Sequence, residues 1–191
     1  MNILFCKIAW MKHYNGNIDR DEPIGGGQWV KENNDGCEVN NFTLYDDCTY
    51  CGYVPTKSDN DDIRQIKLEN FEGADKYDDY IDGVLVVWVA QDIMDNKHKI
   101  VGWYKNARVY RYYREDIYGR AFNCRADDED CVLLPIKERC FEVPYSKTNP
   151  KRFGMGCSNF WYGKGRTNDK QSQKYANEYV DEVIGYIEDY E

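Results

Sequence analysis

The chain alternates short apolar segments with polar turns that contain Gly, Asn and Asp, a pattern typical of a β-rich domain. Residues 3–10, "ILFCKIAW", form a nearly continuous apolar run of the kind found in a central strand. Residues 83–91 and 99–110 are the strongest strand pair, because both are rich in β-branched and aromatic residues and the polar segment "DIMDNKH" separates them. We expect residues 84–90 and 100–109 to be adjacent antiparallel strands.

Shorter segments add to the predicted sheet, and the C-terminus has a different period. The pattern indicates strands in "CEVNNFTLY", "YCGYVPT" and "IRQIKLENF", and in "EDCVLLP" and "CFEVP", which end at Pro135 and Pro144. From Asn168 onward the apolar residues recur every three or four positions, which predicts an amphipathic helix with Thr167 or Asn168 as its N-cap. Its apolar positions are Tyr175, Tyr179, Val183, Ile184 and Ile187.

These elements predict a single α+β domain over residues 1–191. Its centre is a curved, mixed β-sheet or a small open barrel, and residues 145–191 are a loop followed by the C-terminal amphipathic helix, which packs on the sheet. A length of 191 residues is consistent with one domain.

Composition narrows the classes of function. The formal net charge of −9 argues against a protein that coats nucleic acid non-specifically, because such binding depends on Lys and Arg. The basic residues nevertheless cluster, in one group at residues 105–120 and in a second at residues 147–166. The longest apolar run, "VLVVWVA", has seven residues, far fewer than the ~20 that span a bilayer. We therefore expect a cytoplasmic protein that has no membrane partner.

Catalytic and metal-binding motifs are scarce. Cys48 and Cys51 form a CxxC pair, but the other cysteines supply no second close pair, so we expect reduced thiols and no metal. His13 and His98 fall in predicted loops or turns, which gives little support for a histidine-based active site. In the absence of a recognisable catalytic motif, the sequence favours a binding protein without a cofactor over an enzyme.

Aromatic residues give the main functional signal, since the chain has seventeen Tyr and five Trp. Such rings can sandwich a flat base while Asn side chains read its edge. The predicted base-binding residues are Trp29, Trp103, Tyr104, Asn106, Asn159 and Trp161, and the predicted phosphate-binding residues are Lys105 and Arg108. Because successive strand residues face opposite sides, only one of Trp103 and Tyr104 can face a pocket.

Core packing is the alternative role for each of these aromatic rings. Trp88, flanked by valines in an apolar strand, is assigned to the core. For Trp29 and Trp161, each close to glycines in a polar loop, both roles stay open. Gly25–Gly27 precede Trp29, and a run of glycines allows a loop to approach a ligand closely.

The order of these segments resembles the PUA-like superfamily, in particular its EVE and YTH branches. The similar stretches are "ILFCKIAW", the glycine-rich loop with Trp29, "VLVVWVAQ" and "HKIVGWYKNARVY", within roughly residues 1–145. The resemblance implies a PUA-like sheet that holds a modified base, flipped or single-stranded, in an aromatic cage. It further implies that Trp29 is the cage tryptophan and that Trp103 lies near the pocket.

The chain also resembles bacterial domains that occur alone or ahead of HNH-type nucleases. This resemblance implies a nuclease partner and a link to restriction or phage defence. Three functions follow from the sequence: non-catalytic recognition of a modified nucleobase in DNA or RNA, a protein-interaction module with an acidic docking surface, and a small carboxylate-based enzyme on a PUA-like scaffold. They predict, respectively, a concave aromatic pocket, a flat apolar patch and a buried carboxylate with a shifted pKa.

Replacement of Trp29 by Ala tests whether this residue forms a wall of a base cage. Loss of the stacking contact, worth about 1–3 kcal/mol, should lower the affinity for an oligonucleotide with the preferred base about five- to hundredfold and leave stability unchanged. Trp88→Ala provides the contrast, because loss of a core Trp should lower the free energy of unfolding by about 3–5 kcal/mol. Fluorescence anisotropy and urea unfolding measure the two effects. Equal destabilisation by both substitutions would assign Trp29 to the core.

Overall fold

The computed structural model describes residues 1–16, 21–25, 36–56 and 65–190. In chain order, its strands and helix are β1 (Asn2–Ile8), β2 (Thr49–Gly52), β3 (Tyr80–Gln91), β4 (His98–Glu115), β5 (Ala121–Asp127), β6 (Cys131–Leu133), β7 (Phe160–Trp161) and α1 (Lys170–Asp189). The strands form one sheet in the order β2–β5–β4–β3–β1–β7, with β6 paired to β4 beside this path. The described part of the chain is an α+β fold with an open, mixed sheet of seven strands and a C-terminal helix.

The centre of the sheet combines one parallel pair with antiparallel neighbours. β1 runs parallel to β3, with Cys6 opposite Trp88, and β4 returns antiparallel to β3. The predicted pairing of residues 84–90 with residues 100–109 is confirmed. Most of β1 and the second half of β3 are buried on both faces, which explains why both strands read as nearly continuous apolar runs.

Alternate side chains of the central strands fill two cores, one on each face of the sheet. Leu4 and Cys6 of β1 point into the first core, whereas Ile3 and Phe5 point into the second. The first core is completed by residues of the connecting segments, among them Val39, Phe42, Ile66, Leu68 and Phe71. The second core is closed by Ala176, Tyr179, Val183 and Ile187 of α1. The C-terminal helix therefore packs on the sheet, as the sequence predicts.

The face of the sheet that carries the first core is strongly concave. Cys6 on β1 and Cys124 on β5 are separated by two strands, β3 and β4, yet their buried thiols are hydrogen-bonded to each other. A Cβ atom at Gly52 of β2 would lie 2.4 Å from Cζ2 of Trp88 on β3, so a residue without a side chain is needed there. Register shifts along the β3–β4 pair accompany this bend.

Three segments predicted as strands adopt other conformations in the described residues. "CEVNNFTLY" begins with the 3-10 turn Cys37–Asn40. The side chain of Asn41 takes the place of a strand neighbour, since it donates to Tyr53 O (3.1 Å) and accepts from Tyr53 N (2.8 Å). In "IRQIKLENF" the turn Leu68–Asn70 replaces the strand, and in "CFEVP" an isolated bridge forms at Glu142. These three strand predictions are wrong.

The N-cap of α1 and two strands also differ from the prediction. The N-cap is Asp169, one residue beyond Asn168, and its side chain accepts a hydrogen bond from Ser172 N (2.9 Å). The pattern did not predict β5, which mixes polar with apolar residues, or β7, which has two residues. No helix in the described ranges has both the length and the apolar character needed to cross a membrane.

Substitution of Gly52 by Ala tests the close approach of β2 to the concave face. The added methyl group would overlap the ring of Trp88, so the free energy of unfolding should fall by about 1–3 kcal/mol. Gly185→Ala in α1 is the matched control, because its Cβ meets no atom within 4 Å and Ala stabilises a helix by roughly 0.5–1 kcal/mol over Gly. Urea unfolding should give effects of opposite sign. Equal, small effects would contradict the packing described for Gly52.

Candidate functional site

A concave cleft lies where the parallel strands β1 and β3 end. Its volume is about 350 Å³, and it is lined by the last residues of these strands, by the β3–β4 turn and by nearby loops. Its polar lining includes Lys7, Glu38, Gln91, His98 and Asn159. Adjacent parallel strands leave a crevice beyond their carboxyl ends, which is where open sheets with parallel strands usually bind ligands. The cleft therefore occupies a favourable position for a binding site.

Glu38 supplies a buried carboxyl group to the cleft. It is 2% exposed, and its Oε1 accepts a hydrogen bond from Ala9 N (3.4 Å). Burial raises the pKa of this carboxyl to about 6, although hydrogen bonds from backbone N–H groups oppose the rise. No Lys or Arg of the described ranges forms an ion pair with it. A buried, unpaired carboxyl with a raised pKa in a cleft is typical of a functional site.

Asn159 connects the cleft to β1 and to the segment after β2. Its backbone carbonyl accepts a hydrogen bond from Lys7 N (2.6 Å), and its side-chain amide donates to Pro55 O (2.9 Å). These bonds fix Asn159 in the cleft wall, while its side-chain oxygen has no hydrogen-bond donor among the described residues. Of the predicted base-binding residues that the structure describes, Asn159 is the one that lines this cleft.

A stacked pair of rings marks the point where the cleft widens. His98 is half-buried at the start of β4, and its ring lies on Tyr145 with 5.7 Å between centroids and 23° between planes. Burial, with a smaller contribution from the charge of Lys7, lowers the pKa of His98, so its imidazole is neutral at pH 7. Both rings line a second cavity of about 730 Å³ that shares four lining residues with the first. The two cavities form one groove, with Glu38 at its narrow end and Tyr145 at its wide end.

The β3–β4 turn forms a rigid wall of the groove. Lys99 Nζ lies 2.7 Å from a carboxylate oxygen of Asp92 and 2.9 Å from one of Asp95. The side chain of Gln91 donates to Asn96 O (3.0 Å). Because these contacts tie both ends of the turn together, this wall is formed without a ligand.

A buried arginine anchors the segment on the other side of the groove. The guanidinium of Arg139 donates to the backbone carbonyls of Leu134, Met11 and Lys12, at 2.9, 2.5 and 2.8 Å. The hydroxyl of Tyr14 donates to a backbone carbonyl of the same segment, Ala9 O, at 2.7 Å. These bonds hold the residues after β1 in the position from which Ala9 contacts Glu38.

The structure places Trp103 and Tyr104 in the two cores and away from the cleft. Both side chains are fully buried. Trp103 lies against α1, with its ring centroid 5.3 Å from that of Tyr190, while Tyr104 points to the concave face and donates a hydrogen bond to Asn41 O. Neither ring can stack on a base without opening a core. The expectation that one of the two faces a pocket is therefore corrected.

Trp161 is also a core residue, and Trp29 lies outside the described residues. Trp161 is 9% exposed, stacks on Phe5 at 4.7 Å between centroids and donates from Nε1 to Lys164 O (2.7 Å). Gly25, the first of the three glycines before Trp29, lines the cleft with φ of +82°. A role of Trp29 as a cage wall stays a prediction from the sequence.

The predicted phosphate-binding residues lie away from the cleft, in the middle of β4. Arg108 donates two hydrogen bonds to the carboxylate of Asp82, at 2.7 and 3.0 Å. Asn106 donates to both carboxylate oxygens of Asp130, at 3.0 and 3.2 Å, and Lys105 borders a small pocket beside the end of α1. This part of β4 pairs with the beginning of β3, whereas the cleft lies at the end of β3. The structure does not bring these residues to the cleft.

The cysteines and acidic residues form no metal site in the part of the chain that the structure describes. It contains no group of three or more His, Cys, Asp or Glu side chains that could hold a metal ion. None of the eight cysteines, all of which lie in the described ranges, forms a disulfide. Burial raises the pKa of Cys51 in the CxxC pair to about 11, so this thiol is protonated at neutral pH.

Sequence reasoning missed Lys7, Glu38 and Gln91 as candidate site residues. Lys7 and Gln91 lie at the ends of the two most apolar strands, and strands of that kind are often parallel neighbours buried on both faces. Polar residues at the carboxyl ends of such strands indicate a ligand-binding crevice, so Lys7 and Gln91 could have been found from the sequence. Glu38 gives no comparable signal, because its burial depends on a contact with Ala9, 29 residues away along the chain.

Glu38→Gln tests the buried carboxyl through the pH dependence of stability. The pKa of Glu38 is about 6 in the folded protein against an ordinary value of 4.5, so the folded state binds a proton more tightly than the unfolded state. Its contribution is fully present below about pH 4.5 and is lost as the pH rises through about 6. From about pH 4.5 to neutral pH, the free energy of unfolding of wild type should therefore fall by about 2 kcal/mol relative to that of the variant. Urea unfolding at a series of pH values measures this difference, and a constant difference would contradict the burial of Glu38.

Comparison with known proteins does not assign the chain to a family. No protein-family model matches it, and no curated protein or solved structure is significantly similar. The resemblance to the PUA-like superfamily therefore stays a hypothesis based on short sequence motifs. The role of the groove has to be inferred from its own shape and chemistry.

Proposed function

We propose that this protein binds a modified nucleobase of a DNA strand in the cleft at the ends of β1 and β3, without changing the base chemically. The observation that supports the proposal most directly is the presence of Asn159 and the buried carboxyl of Glu38 in one preformed, concave site of about 350 Å³. This volume lies within the range of ordinary ligand pockets, which combine an enclosed shape with a few well-placed polar groups.

The lining groups can read the edge of a base. The side-chain oxygen of Asn159 and an ionised Glu38 accept hydrogen bonds from exocyclic amino groups, while a protonated Glu38 donates to a ring nitrogen or a carbonyl. The stacked rings of His98 and Tyr145 offer a flat surface at the wide end of the groove. In this arrangement the base enters the narrow end, and a substituent such as a methyl, hydroxymethyl or glucosyl group extends toward the wide end.

The PUA-like resemblance is consistent with this proposal. The first strand of the chain lies between β3 and the short strand β7 in a curved, mixed sheet, and the glycine-rich loop that follows it reaches the cleft at Gly25. A PUA-like fold of the EVE or YTH type, a link to restriction or phage defence and a nuclease partner all belong to the proposal. In this scheme the protein selects the base, and the nuclease partner cleaves the DNA.

A carboxylate-based enzyme is the second candidate, because Glu38 has the raised pKa expected of a general acid or base. The half-buried imidazole of His98 in the same groove is neutral and available as a proton acceptor. The two candidates differ in the fate of the oligonucleotide. Mass spectrometry after prolonged incubation shows an unchanged base if the protein is a reader and an altered base if it is an enzyme.

The proposal predicts that Asn159→Ala weakens binding and base discrimination. In a panel of short oligonucleotides with methylated, hydroxymethylated, glucosylated and plain bases, wild type should prefer one modified base. Loss of the Asn159 hydrogen bond should lower the affinity for it about tenfold, which corresponds to roughly 1.4 kcal/mol. Asn106→Ala is the control, since Asn106 lies midway along β4, outside the lining of the groove, and should have no effect. Equal binding of all oligonucleotides by wild type would contradict the proposal.

A further inference from the structure

The segment on the wide side of the groove carries excess positive charge in an acidic chain. Between residues 145 and 177 there are seven Lys and Arg but a single Asp, whereas the whole chain has a formal net charge of −9. All seven of these basic residues are exposed. Five of them form what we call the basic strip: Lys147, Lys151, Arg152, Arg166 and Lys170.

The side chains of the basic strip have no acidic partners, unlike several cations elsewhere in the described ranges. Within the described ranges, no carboxylate oxygen lies within 4.0 Å of a basic-strip nitrogen. By contrast, an Asp or Glu contacts each of Lys97, Lys99, Arg108, Arg111 and Arg125. Cations without acidic partners create a local positive potential that attracts an anionic ligand, even on a protein of opposite net charge.

The basic strip begins at the wide end of the groove. Lys147 is hydrogen-bonded to the side chain of Cys157, which lies two residues before Asn159 in the sequence. The neighbours of Lys147 in the same loop, Thr148 and Asn149, line the wide cavity. The first cation of the strip therefore stands beside the entrance through which a ligand reaches the cleft.

The strip continues to the start of α1. The Ser172 hydroxyl donates to Arg152 O (2.9 Å) and accepts from Arg166 N (2.9 Å). These two bonds hold the loop of Arg152 beside the segment of Arg166 and next to the first turn of α1. Lys151 also reaches this region, since its ammonium lies 4.7 Å from the ring centroid of Tyr175. The backbone segments that carry Lys151, Arg152 and Arg166 thus lie together beside the first turn of α1.

We propose that the basic strip binds the phosphodiester backbone of the nucleic-acid strand whose base enters the cleft. This inference rests on the proposed function. A nucleic acid is favoured over a lipid surface because no large hydrophobic side chain of residues 145–177 is exposed, whereas membrane-surface segments combine cations with exposed apolar groups. Backbone contacts hold a strand in register, and the groups of the cleft select the base.

The test is the salt dependence of binding to a short single-stranded oligonucleotide, as DNA and as RNA, by fluorescence anisotropy. The strip variant carries Lys147→Gln, Lys151→Gln and Arg152→Gln. If each side chain contacts one phosphate, the slope of log K against log salt concentration should become shallower by about 2, since single strands contribute about 0.7 per phosphate. The affinity for plain oligonucleotides and the affinity for modified ones should fall by the same factor. The variant should unfold at the wild-type temperature, because the three side chains are exposed.

A control variant with the same change in charge separates local contacts from overall charge. It carries Arg108→Gln, Arg125→Gln and Lys137→Gln, which replace two partly buried cations and one exposed cation that contact Asp or Glu outside the strip. Its salt slope should equal that of wild type. Equal slopes for the strip variant and wild type would overturn the proposal. It would also be overturned if the strip binds a polyglutamate peptide or phosphatidylserine vesicles but neither oligonucleotide.

Failure of this inference and failure of the proposed function give different results. If the strip variant loses affinity for all oligonucleotides but wild type shows no preference for any modified base, the strip binds nucleic acid and the cleft is not a base reader. If wild type prefers a modified base and the strip variant keeps the wild-type salt slope, the cleft is a base reader. The phosphodiester backbone of the oligonucleotide then contacts a surface other than the basic strip.

Discussion

The parallel pairing of β1 with β3 is the constraint on which both the fold and the groove depend. Most of β1 and the second half of β3 are buried on both faces, so the sheet requires two cores, one closed by α1 and one by the connecting segments. Because parallel neighbours end at the same edge, the pairing also brings Lys7 and Gln91 to one side of the molecule. The antiparallel return of β4 then places His98 beside them.

The groove combines rigid walls with one buried carboxyl that opposes stability at neutral pH. The ion pairs of the β3–β4 turn and the backbone bonds of Arg139 fix the walls without any ligand. Glu38 has no cationic partner in the described ranges, and its ionisation in a buried position is unfavourable. A ligand that donates a hydrogen bond to this carboxylate would offset part of that cost. Burial of Glu38 would thus favour a ligand that donates a hydrogen bond at this position.

The sequence predicts those parts of the fold whose signal is local. The apolar runs of β1, β3 and β4 and the three-to-four-residue period of α1 identified these elements, because the residues that form them also carry their pattern. The role of the segment "GWYKNA" was not predictable, since the exposure of Trp103 and Tyr104 depends on α1 and on Asn41, which are distant in sequence. The burial of Glu38 was not predictable either, since it depends on Ala9, which is 29 residues away along the chain. Asn159 was predicted from a local signal, a polar residue beside aromatic ones, and it lines the cleft, while its role in base binding stays a prediction.

Amide chemical shifts, followed by NMR during titration with a short oligonucleotide that carries the preferred modified base, test the central claim most directly. We expect the largest changes at Lys7, Glu38, His98 and Asn159, which line the groove. An identical oligonucleotide with the plain base should leave Glu38 and Asn159 unchanged. The account is contradicted if the changes centre on Asn106 and Arg108, in the middle of β4 and outside the groove, while the groove residues keep their positions in the spectrum.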